Sequence, residues 1–221
     1  MPAKSKDNLN SKRNAAHHQK ILQVLAEEYP QVNTFLKYSS PFELLLAVIL
    51  SAQTTDKQVN KVTENLFRLI KEPADVLRLE PACLEKMIKG CGLYRQKSRQ
   101  IRETSRLLCA KFDGKVPRTR EELMELPGVG RKTANVVLSV AFDIPAFAVD
   151  THVQRVTRRL GLSRGKSVLA VEKEICSLVP AVLWKKTHRR LIAHGRRFCR
   201  ARKPLCDTCP LSPYCPATGK G

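Results

Sequence analysis

The sequence predicts an all-α fold, and three observations predict it. Apolar residues recur at helical rather than alternating spacing along most of the chain. Capping signals, Ser40-Pro41-Phe42-Glu43 and Thr119-Arg120-Glu121-Glu122, stand before apolar runs. Strand signals are weak. Ile144-Pro145-Ala146-Phe147-Ala148-Val149 is apolar but short, carries a proline, and reads as a buried connection between helices.

Taken in order, Ser40 is an N-cap, Pro41 the first helical residue and Glu43 the third, with Phe42, Leu45, Leu46, Ile49 and Leu50 on one face. Asp56 caps a second helix whose Val59, Val62, Leu66 and Leu69 point inward. Pro81 opens a short helix ending at Gly90, where a left-handed C-cap is expected. Residues 95 to 112 form a longer, very basic helix. Thr119 opens a helix through Leu126. Arg131 to Phe142 follows, with Ala134, Val137, Leu138 and Ala141 on one face. Asp150 caps a helix containing Val153, Val156 and Leu160; helices over 167–179 and 184–198 complete the set.

The 221 residues are 43% hydrophobic and 27% charged, a globular composition. Lys and Arg number 40 against 20 Asp and Glu, a formal charge of +20. Such an excess seeks a polyanion, nucleic acid first. The apolar run Phe42–Leu50 contains Glu43 and is far short of the ~20 residues a membrane helix needs. The polar, basic N-terminal tail has no apolar signal region, so the expected place is the cytoplasm, at the nucleoid. The eight cysteines are therefore not expected to form a disulfide framework. Cys83, Cys91, Cys109 and Cys176 read as small buried hydrophobes.

The other four cysteines, Cys199, Cys206, Cys209 and Cys215, are spaced C-x6-C-x2-C-x5-C. Thiolates this close need a metal in a reducing compartment. Structural zinc and a [4Fe–4S] cluster both remain open on spacing; only Cys206 and Cys209 form the short pair zinc sites use twice, which favours the cluster. Lys185, Lys186, Arg189, Arg190, Arg196, Arg197, Arg200, Arg202 and Lys203 surround it. That suits a cluster bracing a basic loop against phosphates better than an electron carrier.

Leu126-Pro127-Gly128-Val129-Gly130-Arg131-Lys132-Thr133-Ala134 joins two helices. Glycines two apart let the backbone approach a ligand, and amides opening the second helix offer a phosphate seat. A plain tight turn is the competing reading. The spacing is not that of a P-loop.

The LPGVGRKTA element resembles the helix-hairpin-helix of DNA glycosylases. With Asp150 in Val149-Asp150-Thr151-His152, the four-cysteine tail, and Ser51-Ala52-Gln53-Thr54-Thr55-Asp56, the chain resembles the endonuclease III family from about residue 39 to 215. The resemblance implies two helical domains flanking a DNA-binding cleft. One is a six-helix domain at 34–144 carrying the hairpin at about 120–139. The other joins 1–33 to 145–221 and carries a [4Fe–4S] cluster in the loop 199–215. The activity implied is removal of oxidised pyrimidines from double-stranded DNA, then cleavage of the abasic site by β-elimination. A single chain acting on one duplex needs no second copy.

On this reading Lys132 is the nucleophile. The positive end of its helix and the neighbouring Arg131 work against a further positive charge there. A lysine contacting phosphate is the plainer alternative. Asp150 is the partner carboxylate, stabilising oxocarbenium charge and moving protons; a simple N-cap is its plainer reading. Gly128, Val129, Gly130 and Arg131 contact the DNA backbone, and His152 touches a phosphate or is merely packed. Gln53 and Leu93 are, by similarity, the side chains that fill the space of a flipped base, against a loop polar residue and a core leucine. The basic run Arg95–Arg120 reads as a solvated helix face.

Other readings stay in play. Adenine or mismatch-thymine glycosylases of the same superfamily lack the nucleophilic lysine; Lys132 and the chain's end at Gly221 speak against them. A non-catalytic DNA-binding module using the hairpin and cluster is the alternative from another class. A redox carrier leaves the basic surface unexplained.

Overall fold

Every regular element among the described residues is helical. The structure, a computed structural model, describes residues 3–32 and 34–219, with side chains from Asn14 onward. The basic side chains of the N-terminal tail before Asn14 lie outside the described residues. The chain divides into two units, Thr34–Ala148 and Met1–Asn33 with Val149–Gly221.

The first unit holds α2 (Pro41–Leu50), α3 (Asp56–Leu69), α4 (Pro73–Arg78), α5 (Pro81–Ile88), α6 (Tyr94–Lys111), α7 (Arg120–Met124) and α8 (Arg131–Ala141). These are seven segments where the resemblance implies six helices. The Ser40 hydroxyl accepts from the Glu43 amide at 3.1 Å, as its cap pattern requires. The expected single apolar face of α2 is not what folding leaves. Phe42 through Leu50 are all buried, because α3, α6 and α8 pack around the helix. Each fully buried leucine or isoleucine there is worth about 2 kcal/mol. Glu43 is buried with them and accepts from the Ser39 amide and hydroxyl, both at 2.6 Å, and from Lys71 at 3.1 Å. Burial pushes its carboxyl up, but these bonds outweigh it and hold the group below the usual carboxylate range.

The second unit holds α1 (Ala3–Glu28), α9 (Thr151–Arg159), α10 (Val168–Leu178) and α11 (Trp184–Arg197). α11 packs on α9 and α1, and α10 on α9. Ile21, Leu25, Val153, Val156, Val171, Ile175 and Leu191 form its core. Residues 143–150 connect α8 to α9 without regular structure, and Ala146 through Val149 are buried, as their apolar character predicts. No helix of the described residues is long and apolar enough to cross a membrane.

Several expectations need correction. Thr55, not Asp56, is the N-cap of α3; its side chain accepts from the Gln58 amide. Leu69 is 63% exposed, because the inward stripe of α3 ends on Phe67 and Ile70 instead. Gly90 is not left-handed. A Cβ there would stand 2.3 Å from Gln58 Nε2 and 3.2 Å from Val62 Cγ2, so close approach of α3 explains the glycine. Cys83 and Cys109 are exposed and Cys176 half-buried; only Cys91 of that group is buried. Lys97 departs furthest from its reading. It lies in the basic run taken as solvated, yet is only 2% exposed.

Candidate functional site

Within residues 34–148 the site is built on the hairpin. α7 begins at the Thr119 cap, whose hydroxyl accepts from the Glu122 amide. After α7 the chain turns, and the Val129 amide closes the turn on the Leu126 carbonyl at 3.0 Å. Gly128 has φ +80, a conformation that opposes any side chain. A Cβ there would also press on the Gln100 amide at 3.0 Å. Gly130 is different: its φ is −88, and a Cβ would meet nothing within 4 Å. Of the two glycines, only Gly128 is required by backbone conformation. Gly130 is the N-cap of α8 and supplies no side chain to the amides of its first turn, unlike Thr119 and Asp150 at their helices. Those amides suit an anion. Val129 is buried, so a ligand would meet its backbone only. Lys132 is the second residue of α8 and half-buried.

Asn135, fully buried, fixes the helix behind Lys132. Its amide donates to the Phe147 carbonyl at 2.8 Å, and its Oδ1 accepts from Arg120 Nε at 2.8 Å. Gln53 and Leu93 lie in the same unit. Both are exposed and both have positive φ, 53 and 57. Asp113 and Asp143 share that conformation just beyond helix ends, where Asp is tolerated. A leucine and a glutamine held there carry strain of about 1–3 kcal/mol each, which points to function.

Asp150 belongs to the other unit. It is the N-cap of α9, with Oδ1 accepting from the Val153 amide at 2.8 Å. The carboxylate is therefore rigidly aimed, and capping and chemistry are compatible. His152 is half-buried and receives Arg155 Nη2 on its Nδ1 at 3.1 Å. Burial pushes its pKa down and the charges of Arg155 and Arg196 add to this, against the opposing pull of Asp150 and a Gly195 backbone bond. The neutral ring offers little charge to a phosphate.

The cysteine loop follows α11. Cys199, Cys206, Cys209 and Cys215 line one pocket together with Leu160, Phe198 and Leu205. Burial pushes the Cys209 thiol up, and the nearness of Cys215, Cys199 and Cys206 adds to this. Four soft donors facing one apolar space suit an iron–sulfur cluster, whose charge would offset that cost. Among the described residues no three His, Cys, Asp or Glu side chains converge as ligands of one metal ion. Two arginines of α9 hold the loop. Arg155 Nε donates to the Cys199 carbonyl at 3.0 Å and Nη2 to the Gly195 carbonyl at 3.0 Å. Arg159 reaches the Arg200 and Ala201 carbonyls at 2.6 and 3.2 Å. Sequence reasoning missed both; nothing in an amphipathic pattern separates a clamping arginine from a solvated one. Lys203, in the same loop, has φ +52.

An all-helical fold with a glycine hairpin, a lysine behind it and a cysteine-lined loop defines a helix-hairpin-helix DNA glycosylase. The profile of the HhH-GPD superfamily of base excision DNA repair proteins matches residues 46–181, and that of the iron-sulfur binding domain of endonuclease III matches 199–215. Endonuclease III of Bacillus subtilis (strain 168) is 50% identical over 195 residues, covering 88% of this chain and 89% of the relative. Two solved structures, a trapped endonuclease III–DNA covalent intermediate and a non-covalent endonuclease III–DNA complex, each match with TM-score 0.90 at 48% and 47% identity, over 93% of this chain and 97% of theirs. The chain belongs to the endonuclease III family. It is a base-excision-repair DNA glycosylase and AP lyase with a [4Fe–4S] cluster domain, and DNA is its partner.

Proposed function

We propose that the enzyme removes oxidised pyrimidines from duplex DNA and that Lys132 is the nucleophile of both its steps. The observation that carries this is the placement of Lys132 in the first turn of α8, directly behind the hairpin and beside amides suited to a phosphate. The Lys132 amine attacks C1′, and the damaged base departs with the glycosidic electron pair. Asp150, fixed as an N-cap, stabilises the developing oxocarbenium charge and takes the proton the amine loses. The nitrogen lone pair breaks the C1′–O4′ bond, O4′ taking a proton from Asp150, and leaves an imine. Asp150, again a carboxylate, takes a C2′ proton as the C3′–O bond breaks and the 3′ phosphate leaves. A hydroxyl or water nucleophile could not form that imine. The solved structure of a trapped endonuclease III–DNA covalent intermediate supports this chemistry.

In the same reading Gly128, Val129, Gly130 and Arg131 seat a phosphate, the first three through backbone. Gln53 and Leu93 enter the duplex where the base leaves; their exposure and left-handed backbone support this. His152 stands near Asp150 as a neutral contact to the DNA. Cys199, Cys206, Cys209 and Cys215 would hold the cluster, whose iron–thiolate bonds would fix the loop, and the chain's basic residues bind phosphates. The hairpin domain and the cluster domain act in one monomer, in the cytoplasm at the nucleoid.

The test is borohydride trapping on a duplex carrying one thymine glycol, with wild type and Lys132→Ala. A covalent adduct from wild type alone is expected. Binding without adduct or nicking by wild type, there and on a plain abasic site, would overturn the reading.

A further inference from the structure

Gln53 and Leu93 come from segments forty residues apart, yet both hold the same costly backbone conformation. What holds them is Lys97. Its Nζ donates to the Leu50 carbonyl at 2.8 Å, the Ala52 carbonyl at 2.6 Å and the Thr54 hydroxyl at 3.0 Å. An ammonium has three protons, and all three are used. These acceptors bracket Gln53 on both sides. The Lys97 backbone amide donates to the Leu93 carbonyl at 3.0 Å, which starts α6 from the left-handed residue. Thr54 Oγ1, besides receiving Lys97, accepts from the Gly92 amide at 3.2 Å. A Cβ on Gly92 would come within 3.3 Å of the Gln53 carbonyl, so the two loops touch. One residue thus binds both loops at once.

A buried ammonium is an expensive device. Its acceptors are two carbonyls and a hydroxyl rather than a carboxylate, and burial pushes its pKa below the ordinary lysine range, with Cys91 opposing. An apolar side chain would fill the space without that cost. What only the ammonium does is neutralise the carbonyl end of α2 and pin the turn that follows. The same face of α6 reaches the hairpin. Gln100 lies against Gly128, and the Thr104 hydroxyl donates to the Pro127 carbonyl at 3.0 Å. Positions 97, 100 and 104 recur at helical spacing, so one rigid helix carries both loops and the turn.

We propose that Lys97 is the positioning residue for side-chain insertion into the duplex: it locks the Gln53 and Leu93 loops together in their projecting conformation before DNA arrives. This rests on the reading of Gln53 and Leu93 as the inserted pair. A preorganised pair spends no binding energy on ordering. Its benefit falls on the step that separates a paired base, and much less on a base that is already unpaired or absent.

The test uses the full chain with its cluster, as wild type, Lys97→Met and the milder Thr54→Val. Single-turnover rates are measured on three duplexes: 5-hydroxycytosine opposite guanine, the same lesion in an unpaired bubble, and a plain abasic site. The expected result is a loss of about tenfold or more on the paired lesion, with the bubble and abasic substrates changed by less than about threefold, in Lys97→Met and, more weakly, in Thr54→Val. Equal losses on all three substrates would overturn the proposal, since a lysine that merely holds the fold affects every step. No loss on the paired lesion in either variant would also overturn it. Wild type inactive on every substrate would instead sink the proposed function beneath it.

Discussion

The hairpin and the cysteine loop are both phosphate-facing turns in the proposed function, but they are held in opposite ways. The hairpin is held by the chain alone. A left-handed Gly128, the Val129–Leu126 bond, the buried Asn135 bridge and the Thr104 hydroxyl fix it without any cofactor. The loop 199–215 has short 3-10 turns, and of its residues only Leu211 is buried. Its carbonyls are met by Arg155 and Arg159, and its four cysteines line one space that suits a metal group. A helix end can be rigid from local hydrogen bonds. A polar loop with few apolar residues needs an external crosslink, as other metal-dependent folds do.

The comparison extends to the two residues proposed for chemistry. Lys132 depends on its helix, whereas Asp150 also makes its own helix, by capping α9. Asp150→Asn keeps a capping oxygen and loses the charge; Asp150→Ala loses both. Excision and nicking should fall about 10²–10⁴-fold in each. Only Asp150→Ala should lose stability, about 1 kcal/mol by denaturant melting. Equal stability loss in both would show that the cap is not what fixes the carboxylate.

Removing a clamp should loosen the cysteine loop and spare the hairpin. Arg155→Met deletes charge-assisted bonds to the Cys199 and Gly195 carbonyls and should cost about 2–3 kcal/mol. Limited proteolysis should cut first within 199–215. Cleavage first at 126–131 would reverse the comparison.

Glu43 sharpens the account of the hairpin unit, since α2 is its buried centre. Its folded pKa lies below the unfolded value of about 4.3, so its stabilisation is present above that pH and is lost as pH falls through the folded value. Glu43→Gln should remove about 1–2 kcal/mol at pH 7 and flatten the acid side of the stability curve. A variant whose curve keeps the wild-type slope between pH 5 and 3 would contradict the assignment, those limits being about one unit either side of the unfolded value.

The smallest effects separate the hairpin's two glycines. Gly128→Ala should cost about 1–2 kcal/mol through its left-handed backbone. Gly130→Ala should cost less than Gly128→Ala, about 0.5–1 kcal/mol as a poorer N-cap, because its Cβ meets nothing, and should weaken DNA binding. Matching stability losses would mean the turn, not a ligand, sets both positions.

Features written within a few residues were legible in the sequence. The caps at Ser40, Thr119 and Asp150, the hairpin and the four-cysteine spacing all depend on short-range rules. What was not legible depends on distant partners. Lys97 reaches carbonyls 45 and 47 residues back, and Arg155 one 44 residues on. Helical periodicity ranks faces by their apolar residues, so it files a buried lysine with the solvated ones. It failed in the other direction at Leu69, Cys83 and Cys109, apolar by type and exposed in place. The all-round burial of α2 needed its three packing neighbours, which no single window contains.

If the hairpin is held by the chain and the cysteine loop by its cluster, the two respond differently to loss of iron. Amide hydrogen exchange of the full protein, before and after removal of iron with a chelator, tests it most directly. Residues 199–215 should lose protection while 126–138 exchange as before. Equal loss of protection in both regions, or none in the loop, would contradict it.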